Sequence, residues 1–251
     1  MAAVIGYLVI ATLAVGAALL IAGPHHVVRR DPTFELEDVS GRQVPILGAL
    51  AGFAVTGVVF LVTQARMDRL RDSVFFPWII AVIGFPIGGV LAQQLAGPAA
   101  TVPAGLVSGL VAGAAIGFAQ ASALRLRPLA LASWVGGTAA GLAVALGVVT
   151  GAIGQIETMT EAIVLGVVSG ALIGVAQSAL LMRAGVRNAW AWIPVTAVAW
   201  AIGWLITASV GVALAPGWPV YGLSGAIVSQ LITGAALWRL VPSHDRLRAT
   251  A

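Results

Sequence analysis

Residues 222–226 read GLSGA, and a serine flanked by glycines in this way is a familiar setting for a nucleophile. A serine needs a base to take its proton. The three histidines are His25 and His26, in a polar connection near the N terminus, and His244, in the C-terminal tail. Ser224 is expected near the outer end of the last apolar run, a membrane thickness from His244. The same Ser-Gly pair recurs at Ser108 and Ser169 inside glycine-rich runs. The pattern is therefore read as helix packing, and no catalytic residue is assigned.

Two clusters hold acids. His25, His26, Asp31, Glu35, Glu37 and Asp38 share one connection, but their spacing matches no tight metal-ligand pattern, so it is read as a solvated loop and no metal ligand is assigned. Glu157 and Glu161 stand four apart at the start of an apolar run, where carboxylates complement a helix dipole. The chain has no cysteine and no lysine, which removes thiolate metal sites, disulfides and lysine Schiff bases. No histidine falls within an apolar run, which argues against membrane haem; no cofactor is expected.

The remaining polar candidates are glutamines. GAAIGFAQASAL begins at Gly113 and GALIGVAQSALL at Gly170, which places Gln120 and Gln177 at the same point of two similar stretches. On a helix, Gly105, Gly109, Gly113 and Gly117 cover an arc of about 120°, and Gln120 points into its middle. Such glycines let a second helix backbone approach, and a glutamine there can form an interhelical hydrogen bond. The reading taken is that the glutamines fix helix register; the alternative is a polar contact for a ligand or solute. A further candidate is AVIGFPIGGVLAQQ, where Gly84, Pro86 and Gly88 interrupt an apolar run. Proline lacks an amide and clashes with the carbonyl four residues back, here Val82. A kink or break there would free carbonyls for neighbours or for a substrate.

The elements that must hold these residues follow from composition. Of 251 residues, 60% are hydrophobic and 9% charged, against about 25% charged in soluble domains. Mean hydropathy is +1.02. The expected fold is an all-α integral membrane protein of about eight spans, near 2–22, 44–64, 75–96, 104–124, 129–152, 161–182, 190–214 and 220–240. The first run has no basic residue ahead of it and exceeds the length of a signal-peptide core, so it is read as a retained helix.

Arginine sets the orientation. The connections after the second, fourth and sixth spans carry Arg66, Arg69, Arg71, Arg125, Arg127, Arg183 and Arg187, and the last span and tail add Arg239, Arg246 and Arg248. Connections 97–103, 153–160 and 215–219 carry none. The positive-inside rule then puts both termini in the cytoplasm, in what the composition suggests is a prokaryotic plasma membrane. The +4 net charge is read as a cytoplasmic collar suited to anionic lipid headgroups, not as a nucleic-acid surface. Trp78, Trp134, Trp190, Trp192 and Trp238 are expected in the cytoplasmic interfacial belt, and Trp218 and Tyr221 in the outer one. Trp200 and Trp204 lie deeper, where packing is expected.

An internal repeat organises the chain. Trp78, Trp134 and Trp192 are spaced by 56 and 58, and Gly109, Gly113, Gly117, Gln120 and Leu124 precede Gly166, Gly170, Gly174, Gln177 and Leu181 by 57. The expected organisation is an N-terminal hairpin with its outer loop (1–74, loop 23–43, a candidate remote fourth copy through Gly48 and Gly52), three parallel two-helix repeats (75–127, 128–187, 188–241) and a cytoplasmic tail (242–251). No ionisable residue lies in the middle of a span, which argues against ion-coupled carriers, pumps and voltage sensors. The favoured reading is a non-enzymatic scaffold, assembly factor or accessory subunit with a membrane-protein partner or a second copy. The alternative is a permease or channel for a neutral or apolar solute or lipid. A polar stripe converging on a central cavity would favour transport; a solid, dry core would favour the scaffold.

Overall fold

The computed structural model describes residues 74–210 and 217–241, and among these every regular element is helical. The expected spans 2–22 and 44–64, the connection carrying His25 and His26, and the tail beyond residue 241 lie outside the described residues. Six helical stretches are long and apolar enough to cross a membrane, consistent with a multi-pass membrane protein.

The first stretch, Phe75–Ala96, is composite: α1 (Phe75–Ile80), a 3-10 turn (Ala81–Ile83) and α2 (Gly84–Ala96). The others are α3 (Val102–Ala123), α4 (Pro128–Ile153), α5 (Met159–Arg183), α6 (Trp192–Ser209, preceded by a 3-10 turn Ala189–Ala191) and α7 (Leu223–Leu240). Local signals set the starts. Thr101 caps α3 by accepting from the Ala104 amide, and Pro128 opens α4. Thr158 and Glu161 form a reciprocal capping box on α5, with Glu161 also accepting from the Glu157 amide. This satisfies amides that a helix start leaves without partners.

Pro86 does not break its span. The backbone stays in the right-handed helical region through Ile80, Ile83 and Gly84. The helix tightens to a 3-10 turn just where the missing Pro86 amide would have bonded Val82, then restarts at Gly84. Pro86 thereby falls in the first turn of α2, where amides have no intrahelical partner.

Each span packs on the next in chain order, and α7 returns to pack on α1, so six spans form a closed ring. Glycine permits the closest approaches. A β-carbon on Gly113 would lie 2.7 Å from Ala139 Cα, and one on Gly170 would lie 2.7 Å from Ala197 Cα, so α3–α4 and α5–α6 meet backbone to backbone. Gly84 and Gly88 do the same for α2 against Ala115 and Ala112 of α3, at 3.0 and 2.8 Å from their carbonyl oxygens.

The interior has two apolar clusters. One includes Trp78, Trp134, Trp192, Leu124, Leu181 and Leu237, at the end of the bundle where Arg125, Arg127, Arg183, Arg187 and Arg239 lie. The other runs through the middle and opposite half, with Phe85, Leu142 and Trp200 at its centre. The side chains left outside, such as Leu95, Leu129 and Val148, form an apolar outer surface suited to lipid.

Candidate functional site: a buried indole–amide network and a pocket at the opposite end

Gln120 and Gln177 are both buried, and they meet: Gln177 Nε2 donates to Gln120 Oε1 at 3.0 Å. Neither faces an open channel. Their orientation is dictated by tryptophan, because an indole N–H can only donate. Trp192 Nε1 donates to Gln177 Oε1 at 2.8 Å, which turns the Gln177 amide nitrogen toward Gln120 Oε1 and Thr138 Oγ1, each at 3.0 Å. Trp134 Nε1 donates to the same Gln120 oxygen at 3.3 Å. Gln120 Nε2 is left to donate to Gln230 Oε1 at 3.4 Å, and Gln230 Nε2 ends the relay on the Trp78 carbonyl at 2.9 Å.

The third indole closes the ring. Trp78 Nε1 donates to Thr233 Oγ1 at 2.9 Å, joining α1 to α7 across 155 residues of chain. The Thr233 hydroxyl passes its own proton to the Ser229 carbonyl at 2.7 Å. Each indole thus bonds a side chain on a glycine-containing helix: Trp134 to α3, Trp192 to α5 and Trp78 to α7. The rings also touch edge to face, Trp78 to Trp134 at 6.1 Å and Trp78 to Trp192 at 5.8 Å between centroids. Such contacts add about 0.5–1.5 kcal/mol beyond burial.

This corrects the interfacial-belt expectation for three tryptophans. Trp78, Trp134 and Trp192 are at most 2% exposed, whereas Trp190 is 64% exposed. A polar handle on an apolar ring suits either the headgroup level or an interior supplied with acceptors, and here the glutamines supply them. Tyr221 is corrected likewise. It is buried, donates to Ser229 Oγ at 2.8 Å, and packs against Phe85, Trp200 and Trp204. Burial raises its hydroxyl pKa, with the Ser229 bond pulling less strongly the other way, so it acts as a neutral donor.

Of the other residues singled out in the sequence, Gly84 and Gly88 serve the α2–α3 contact. Pro86 lines a pocket of about 260 Å³ at the end remote from the arginines, together with Phe85, Gly89, Trp204, Thr207 and Tyr221. The structure does not bring Pro86 to the glutamines. Sequence reasoning missed Gln230, Thr233, Thr138 and Thr196. A Trp-x-x-x-Thr spacing shared by Trp134–Thr138 and Trp192–Thr196 was available as a signal; both hydroxyls donate to the carbonyl of their own tryptophan at 2.8 Å. Gln230 had none, since it lies one turn away from the position that matches Gln177.

Chemically, the network holds neutral donors and acceptors that satisfy one another. Among the described residues, no group of three histidines or carboxylates comes together. No family model, curated protein or solved structure matches this chain.

Proposed function

We propose that the chain is a non-enzymatic polytopic membrane protein, a scaffold or accessory subunit of a membrane complex. In this reading it is built from repeated two-helix units within an eight-span bundle, and its arginine end and both termini face the cytoplasm of a prokaryotic plasma membrane. The collar of arginines meets anionic headgroups there, and the outer faces of the ring offer a partner or a second copy a rigid wall.

The observation that carries the reading is the filled centre. Phe85, Leu142, Trp200, Ile116 and Ile173 are at most 3% exposed, and the polar side chains beside them bond one another. A bundle so packed resists rearrangement, which suits a fixed platform better than a carrier that must open alternately.

The pocket beside Pro86 favours the second reading, a permease or channel for a small neutral or apolar solute or lipid. The two are separated by reconstitution and by native mass spectrometry of gently extracted protein. The scaffold reading expects neutral-solute flux no faster than in protein-free liposomes, and a stoichiometric polypeptide or second copy in the mass spectrum. Saturable flux that falls in Gln120→Leu or Gln177→Leu while thermal stability holds would overturn it.

A further inference from the structure

The first span has neighbours on two flanks. α3 packs closely on one, through Gly84 and Gly88, and α7 lies on the other. α7 packs on α1 and on the 3-10 turn, but reaches α2 only sparsely. Val220 and Tyr221, from the segment before α7, occupy part of the resulting gap, and the pocket of about 260 Å³ remains, with no charged side chain in its lining. Its mouth carries Val90 and Leu223, which are 51% and 45% exposed, so it opens toward the outside of the ring between α2 and α7. Beside it runs an apolar stripe. Phe76, Ile80, Ile83, Ile87 and Val90 recur every three or four residues, so they share the outward face of the first span, and all are exposed.

The same chain supplies an occupant. Residues 44–64 are an expected apolar span, and the connection 65–73 leads straight into Val74 and α1. The nine residues 65–73 extend at most about 30 Å. Short connections between helices join antiparallel neighbours, and every described span packs on the one that follows it. Both flanks of the first span are taken, so a preceding helix is left the outward face. On that face the α3 side is closed by the Gly84 and Gly88 contacts, while the α7 side has the pocket. Depth selects the residues. With residue 64 level with Phe75, Val90 lies fifteen residues along, and the same distance back from residue 64 reaches Ala49. Leu50 and Phe53 are the large side chains there, three apart and so on one face. Ala49, Gly52 and Ala54 around them are small enough to let two helices come close.

We propose that residues 44–64 lie antiparallel on the outward face of the first span, leaning toward α7, with Leu50 and Phe53 at the mouth of the pocket. The proposal rests on the reading of 44–64 as a span of the eight-span bundle.

The test uses the full chain in its membrane, and the absence of native cysteine makes introduced pairs unambiguous. Cysteines placed in turn at positions 49–54 are each paired with Val90→Cys and oxidised. Pairs with Val144→Cys, on the exposed face of α4, are the controls. Leu50→Cys or Phe53→Cys should form an intrachain disulfide with Val90→Cys in most chains and with Val144→Cys only at background, because the bond needs β-carbons about 4 Å apart. Single cysteines are also labelled with a water-soluble maleimide in permeabilised membranes. Ser40→Cys and Leu70→Cys should react, and Leu50→Cys and Phe53→Cys should not. A thermal melt of each reduced variant confirms that it is folded. If positions 50 and 53 label as readily as 40 and 70, the span itself is wrong, and the proposal falls together with the eight-span reading. If they resist labelling, the span stands, and three results overturn the docking alone: no position in 49–54 joined to Val90→Cys, equal joining to Val144→Cys, or disulfides that form only between chains.

Discussion

Gln177 makes three side-chain hydrogen bonds, to Trp192, Gln120 and Thr138, so its loss is felt in three helices. Gln177→Leu leaves the Trp192 N–H buried and unpaired and should lower stability by about 1–3 kcal/mol, read as a shift in the unfolding midpoint in mixed detergent. Membrane hydrogen bonds average nearer 0.6 kcal/mol, so the lower end applies if the indole finds another acceptor. Trp192→Phe removes the same bond from its other side. The double variant should therefore cost clearly less than the two single ones together, because both delete one shared interaction. Additive effects would show that the bond contributes little. At this scale the sequence was half legible. The matched glycine stripes singled out Gln120 and Gln177, but could not show that their partners were tryptophans. An indole near a span end fits the membrane interface equally well, and only the acceptor on the neighbouring helix decides.

Among the elements, glycine contacts divide into those with backbone behind them and those with open space. Gly113→Leu and Gly170→Leu drive a side chain into Ala139 and Ala197 backbone, and should each destabilise by about 1–3 kcal/mol or prevent assembly. Gly136→Ala meets nothing within 4 Å and should be neutral or stabilising by up to about 1 kcal/mol. The same thermal melts check both. The turn after α3 holds another lever. Arg125 has φ of 54°, where the equivalent turn after α5 uses Gly185 at 73°. In both turns the next amide bonds back to the helix, Leu126 to the Ala121 carbonyl and Val186 to that of Leu181. Arg125→Gly should relieve on the order of 1 kcal/mol of backbone strain and raise the melting temperature, with Arg127 still marking that end. Span positions were the most legible feature, because some twenty apolar residues leave few alternatives to a helix. The effect of Pro86 was not. Proline's missing amide predicts a break, but a tightened turn placed ahead of it made the loss harmless.

At the scale of the whole bundle, the described residues form a ring whose first and last spans must find each other. Neighbouring spans meet as the chain order in the sequence suggests. Closure at the α7–α1 seam was beyond it. The partner of Trp78 is a threonine where a copied glutamine would be expected, and the seam is stopped by Tyr221 from a loop rather than by a helix. The seam is also where the pocket lies. The matched stretches around Gln120 and Gln177 therefore pointed to packed parts, while among the described residues the seam leaves room at the pocket.

The bond between Trp78 and Thr233 has a consequence in time. At about 5–20 residues per second, the 155 residues between them take roughly 8–30 s to synthesise. For that interval the first indole enters the bilayer with its eventual acceptor still unmade, and Gln230, which caps the Trp78 carbonyl, is equally late. Closure of the ring is thus gated by α7, the last of the described helices to leave the ribosome. Nascent chains arrested before residue 223 should be cleared by membrane proteases much faster than chains released after residue 241, which pulse-chase labelling of staged truncations can measure. Equal lifetimes would mean that the open ring is already stable, and that the final helix joins it without rescuing it.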